Sequence, residues 1–207
     1  MGAVTTARGK PTAAVDRVVH EAPVECGNAA AWTRWLKRHH ARAAGVWLRM
    51  AKKDSGIPSI DHPTALEAAL CFGWIDGQRK SDGAQYFLQR FTPRTKRSTW
   101  SQVNRAKALK LIDEGRMEPA GLAEVERARA DGRWDAAYEA ASVATVPPDL
   151  QAALDANREA AAFFGMLDSR NRFAILFRTQ GAKKAETRAK RIAQFVAMLA
   201  KGEKIHP

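Results

Sequence analysis

One change of rhythm limits what this chain can fold into. Val46, Leu48 and Met50 alternate with Trp47, Arg49 and Ala51, and Trp74–Arg79 and Gln85–Phe91 read as two further strands, whereas from Ser98 onward apolar side chains recur every three to four residues. A period of two sends alternate side chains to opposite faces of a strand. A period near 3.6 gathers them along one side of a helix. Asp82-Gly83 lies between the second and third of these segments and signals a hairpin. The pattern therefore predicts an α+β protein: a small, mostly antiparallel sheet packed by helices, followed by a helical C-terminal region.

Local signals fill in that outline. Val15–Cys26 alternates loosely and reads as an edge strand and turn. Asn28 reads as the N-cap of a helix to about Ala41, with Trp32, Trp35 and Leu36 on one face. Asp54-Ser55-Gly56-Ile57-Pro58 reads as a turn. Asp61 reads as the cap of a second helix, with Pro63 in its first turn, Leu66, Ala69 and Leu70 inward, and Gly73 as its stop. Beyond the hairpin, Ser98 is expected to cap a helix to Glu114, closed by Gly115, and Pro119 to open another, closed by Gly132. Further helices are expected near Asp149–Leu154, Arg158–Leu167, Ser169–Thr179 and Lys183–Ala200. The last carries Ile192, Phe195, Val196 and Leu199 as an amphipathic stripe. The resulting division is a disordered tail (1–14), an α+β core domain (15–140), a linker containing Pro147-Pro148 (141–148), and a helical region packing on the core (149–207).

Composition excludes several classes. A 207-residue chain with 45% hydrophobic residues can hide roughly 70% of its unfolded surface. Its longest near-apolar run, Ala160–Leu167, falls far short of the ~20 residues of a membrane span. Cys26 and Cys71 are the only cysteines and form no Cys-x-x-Cys pair, which favours a reducing compartment. The first residues lack the apolar segment of a secretory signal. Together these point to the cytoplasm.

Charge is the strongest compositional signal. The chain holds 34 Lys and Arg against 22 Asp and Glu, a net charge of +12. The excess is uneven: ten basic against four acidic residues in 76–116, four against nine in 117–167, and ten against three in 168–207. Two basic segments thus flank an acidic one, favouring an anionic partner.

The first basic segment is Arg90-Phe-Thr-Pro-Arg-Thr-Lys-Arg-Ser-Thr-Trp-Ser-Gln-Val-Asn-Arg105. Arg94, Lys96 and Arg97 precede an expected helix start, where free N–H groups and the dipole already favour an anion. Cations there work against the usual dipole preference, so helix stability alone does not account for them. Ser98, Ser101 and Asn104 add hydrogen-bonding groups. In the second segment Lys184, Arg188 and Arg191 share one face at the start of the last helix. Asp76, between Gly73 and Gly77, is expected to pair with a cradle arginine, with a lesser reading as an acid or base. Trp74 and Trp100 are candidate pocket walls. No nucleotide-binding, zinc-protease or serine-hydrolase signature is present. His39 and His40 are adjacent and point apart on a helix, while His62 and Cys71 lack further partners, so neither a metal nor a cofactor is expected.

Five motifs in order carry a family resemblance: ALCFGWIDG (69–77), RFTPRTKRSTWSQVN (90–104), GRMEPAG (115–121), GRW (132–134) and AKKAETRAKRI (182–192). The chain resembles the YdeI/OmpD-associated family of bacterial proteins from about Trp32 to Lys204, departing at Ala185, where the family often has proline. The resemblance implies a cytoplasmic protein of the stress-response or bacteriocin-protection type, and suggests a relationship to YjbR/CyaY-like folds. It supplies no established activity. The positions it implies as shared are Trp74, Asp76, Gly77, Pro93, Arg94, Lys96, Ser98, Trp100, Ser101, Asn104, Thr187, Arg188 and Arg191. The expected function is non-enzymatic binding of a small anion at helix N-termini. The alternatives are nucleic-acid binding, or an enzyme acting on a phosphorylated or carboxylated small molecule with Asp76 as base.

Overall fold

The computed structural model describes residues 22–207 and the backbone of Val18–Val19. The expected tail, 1–14, lies outside the described residues. The chain divides into two compact units: one through Ser98 plus Lys107–Asp131, the other Thr99–Ala106 plus Gly132–Pro207.

The first unit is built on a sheet. β1 (Val18–Val19) and β2 (Val24–Glu25) lie end to end along one edge of β3 (Ala43–Ala51), both parallel to it. β4 (Trp74–Asp82) and β5 (Tyr86–Pro93) form an antiparallel hairpin, and β5 pairs antiparallel with β3. The order β1-β3-β5-β4 is therefore an open, mostly antiparallel sheet, as the strand segments and the hairpin signal predict. The expected single edge strand before Cys26 is two short ones. The hairpin strands also run further than expected: Asp82 is not in the turn but pairs with Tyr86.

Alternation works physically as read. Val46, Leu48 and Met50 are buried, while Trp47 and Arg49 between them are half-buried on the other face. Two helices cover the apolar face. α1 (Ala29–His39) starts where the Asn28 side chain accepts from Ala31 N at 2.9 Å. α2 (His62–Cys71) starts where the Asp61 side chain accepts from Thr64 N at 2.8 Å. Trp32 is fully buried, 5.3 Å from the Phe91 ring, with its indole N–H donating to Ala65 O at 3.0 Å. That single side chain ties α1, α2 and β5 together, and the hydrogen bond removes the penalty of burying a polar indole.

α3 (Gln102–Asp113) and α4 (Pro119–Ala130) follow. α3 begins three residues later than the sequence suggests. Ser98 does not cap it; the Ser101 side chain does, accepting from Asn104 N at 3.1 Å. The Ser98 hydroxyl instead accepts from Thr95 N at 2.9 Å and closes the basic turn.

The second unit contains α5 (Pro148–Asp155), α6 (Arg158–Met166), α7 (Ser169–Gln180) and α8 (Ala185–Ala200). Each lies within a few residues of its expected span. Leu150, Leu154, Phe164, Ile175 and Leu176 form one core with Ile192, Phe195 and Leu199 of the α8 stripe. Asn157 and Asp168 cap α6 and α7 by accepting from Ala160 N and Asn171 N. Among the described residues no helix is long and apolar enough to cross a membrane.

Candidate functional site

The residues singled out from the sequence fall into both units. In the first unit Trp74 is 1% exposed and its indole donates to His40 O at 3.2 Å, so it is core and not a pocket wall. Arg94 follows β5 and is itself 3% exposed. Its N–H donates to Gly73 O, and its carbonyl accepts from the Arg127 guanidinium. Lys96 and Arg97 occupy the exposed turn that Ser98 closes.

Asp76 does not orient an arginine. Its Oδ2 lies 3.0 Å from His62 Nε2, each side chain about a quarter exposed, with the imidazole 6.5 Å from the Phe91 ring. The register explains the difference: Asp76 stands opposite Phe91 on the face that α2 covers, and α2 presents His62 at its first position.

In the second unit Trp100 is 2% exposed and meets Trp134 edge to face at 4.9 Å. Lys184 stands at the N-cap position of α8 and leaves the cap without a side-chain bond. Arg188 and Arg191 are directed at the protein itself. Arg188 binds both carboxylate oxygens of Asp149 and donates to Thr179 O at 2.9 Å, while Arg191 donates to Arg178 O at 2.6 Å. Those carbonyls close the last turn of α7, where cations satisfy orphan acceptors and complement the dipole.

The basic segments nevertheless meet, through other residues. A cleft of about 510 Å³ in the second unit is lined by Thr99 and Gln102 of the first segment, by Lys183 of the second and by Gly181 just before it. Its remaining wall is the 133–139 stretch and the end of α7. The ring of Tyr138 stands edge-on to Phe177 at 5.0 Å and forms an aromatic floor. Arg133 and Lys183 supply positive charge; Asp135 and Glu139 supply negative. Tyr138 holds the site to α3: its N–H donates to Trp100 O at 3.0 Å and its carbonyl accepts from Gln102 N at 2.8 Å. One end of the cleft is therefore fixed by the same main-chain bridge that starts α3. Glu139 is anchored too, accepting from Thr145 N at 3.2 Å.

An aromatic floor with cations beside it suits a molecule with an apolar part and one anionic group. Arg133 and Lys183 lie within GRW (132–134) and AKKAETRAKRI (182–192), yet neither is among the binding positions expected from the sequence. Tyr138 and Phe177 stand far apart along the chain, and nothing local marks them as partners.

Comparison with known families gives two matches. Residues 24–124 match a domain of unknown function (DUF8412). Residues 143–202 match the family described as bacteriocin-protection, YdeI or OmpD-associated. The C-terminal segment is of the YdeI/OmpD-associated type. Of the five motifs only AKKAETRAKRI lies inside that match; the first three lie inside the other, and GRW in neither. The cleft draws on all three stretches: Thr99 and Gln102 from the first match, Arg133–Glu139 from between, and Phe177–Lys183 from the YdeI/OmpD-associated segment. No curated protein and no solved structure matches the chain.

Proposed function

We propose that this is a bacteriocin-protection-type protein of the bacterial cytoplasm that binds, without chemistry, a small amphipathic anion in the cleft of its second unit. The observation that carries this reading is the convergence of Thr99, Gln102 and Lys183, from the two basic stretches of sequence, around the Tyr138–Phe177 floor. Arg133 and Lys183 would meet the anionic group and the rings its apolar part. Asp135 and Glu139 on the same wall disfavour a bare polyanion and favour a ligand with an apolar body.

Titration calorimetry with phenyl phosphate, phenol and inorganic phosphate tests this directly. Phenyl phosphate is expected to bind more tightly than either fragment. Lys183→Ala, at an exposed position, is expected to weaken it roughly tenfold, or ~1.4 kcal/mol. Absence of heat with phenyl phosphate, or binding indifferent to Lys183→Ala and Phe177→Ala, would refute the cleft as the site. Protection is tested separately, by comparing bacteriocin survival of cells with and without the gene.

The enzyme alternative has one observation in its favour, the Asp76–His62 pair. A carboxylate against Nε2 fixes the imidazole tautomer and lets the ring exchange a proton at its other nitrogen. That reading requires turnover of a phosphorylated or carboxylated compound that disappears in His62→Gln while the fold persists.

A further inference from the structure

We propose that the outward face of the β3–β5–β4 sheet is a docking surface for single-stranded nucleic acid, separate from the cleft. Residues directly opposite in an antiparallel ladder share a face. Trp47 stands opposite Arg90, Arg49 and Lys80 both stand opposite Leu88, and Asp82 stands opposite Tyr86. One face therefore gathers Trp47, Tyr86, Arg49, Lys80 and Arg90. The helices meet the other face, through Trp32 and His62 on Phe91 and Trp35 on Trp74.

The side chains on the outward face are ordered around its two rings. Lys80 Nζ lies 4.5 Å from the Trp47 ring centroid and Arg90 Cζ 5.6 Å from it, while Arg49 Cζ lies 3.8 Å from that of Tyr86. Gly45 makes room for this: a Cβ there would stand 2.7 Å from Arg90 Nη2. The stems of Arg49 and Lys80 flank Leu88, which is 6% exposed although it points outward.

Charge selects the partner. The acids on this side, Glu25 and Asp82, both bind Arg49 at 2.7 and 2.6 Å. Among the described residues Lys80 and Arg90 have no carboxylate partner. Cations beside an aromatic ring are the two elements that hold a single strand: a base stacks on the ring and the cations meet the neighbouring phosphates. Here the Lys80 ammonium would leave the Trp47 face to a base and bind the adjoining phosphate. A duplex, its bases already stacked, gains only the charge term. An acidic peptide likewise gains charge without stacking.

The test is fluorescence anisotropy of labelled oligothymidylate and oligouridylate with the full chain at low salt. Binding should fall with salt, with a logarithmic slope of about −0.7 for each phosphate that the protein neutralises. Lys80→Glu, an exposed site that the fold does not need, should weaken it about tenfold. Trp47→Leu, checked for fold by circular dichroism, should do the same, and Lys183→Ala in the cleft should change nothing. Competition by polyglutamate as effective as that by oligothymidylate, or unchanged binding in Lys80→Glu, would overturn the proposal. So would the absence of any binding. Loss of oligonucleotide binding here leaves the phenyl phosphate result untouched, so the two readings fail independently.

Discussion

Arg188 holds Asp149 through two parallel hydrogen bonds, Nε to Oδ2 at 2.5 Å and Nη2 to Oδ1 at 2.7 Å, with its third nitrogen on Thr179 O. The fork of one guanidinium thereby joins the start of α5, the end of α7 and the first turns of α8. Asp149 sits in the first turn of α5 and the accepted carbonyl in the last turn of α7, so each charge also meets the favourable end of a helix dipole.

Arg188→Ala should accordingly destabilise the second unit. The Asp149 side chain is 44% exposed, so the loss is limited by solvent to about 1 kcal/mol. The hydrogen bonds from Arg188 hold the Asp149 carboxyl below its ordinary value, and backbone N–H donation from Asn171 does the same for Asp168. A depressed carboxyl contributes stability above its unfolded pKa and loses it as pH falls through the folded one. Urea midpoints should thus decline below about pH 4, and Arg188→Ala should flatten part of that decline. A variant with the wild-type acid profile would show that the pair contributes nothing.

Gly121 packs α4 closely against the end of α2. A Cβ there would stand 2.3 Å from Cys71 O and 2.8 Å from Leu70 O. These are backbone atoms that cannot swing aside. Gly121→Ala should therefore cost ~1–3 kcal/mol despite its better helix propensity. Thermal unfolding measures it; an unchanged midpoint would mean that the two helices separate freely.

Burial pushes the thiols of Cys26 and Cys71 up, with nearby Arg34 and Arg116 opposing the effect only in part. Both are buried and free. Thiolate is the reactive form, so the native protein should react with a disulfide reagent far more slowly at neutral pH than the urea-unfolded chain. Fast stoichiometric labelling of the native state would show that one of these cysteines opens to solvent.

How much of this was legible in the sequence depends on the range of the interaction. Asn28 and Asp61 cap helices because their partners are three residues away. The alternation around Leu48 and the stripe through Ile192 fixed which faces are buried before any tertiary contact was known. Ser98 misled because Ser101 offers the same chemistry three residues on, and the bridge from Tyr138 to Ser101 decides between them. The partners of Asp76 and Arg188 were out of reach, being 14 and 39 residues away. For Asp76 a basic partner was expected, but which one depends on strand register. The cleft was half visible: its segments were marked by charge, whereas its floor joins Tyr138 to Phe177 across the intervening helices.

Asn171 supplies the last test. It is 1% exposed in the first turn of α7, and its amide is fully engaged. Nδ2 donates to the Asp168 carboxylate and to His206 O at 3.2 Å, while Oδ1 accepts from His206 N at 2.8 Å. A side-chain amide pairs both main-chain groups of His206 as a strand neighbour would, so Asn171 ties the last described residues to α7. Asn171→Ala should release those residues and cost ~1–2 kcal/mol, the scale of buried hydrogen bonds lost with partial rehydration. Asn171→Asp should be worse near neutral pH, because it sets a second carboxylate against Asp168, and it should recover as the pair is protonated in acid. Urea unfolding read alongside carboxypeptidase trimming separates the effects. Faster trimming with lowered stability in both variants supports the clasp. Trimming at the wild-type rate in Asn171→Ala would show that other contacts, such as those of half-buried Ile205 with the helical core, hold the terminus instead.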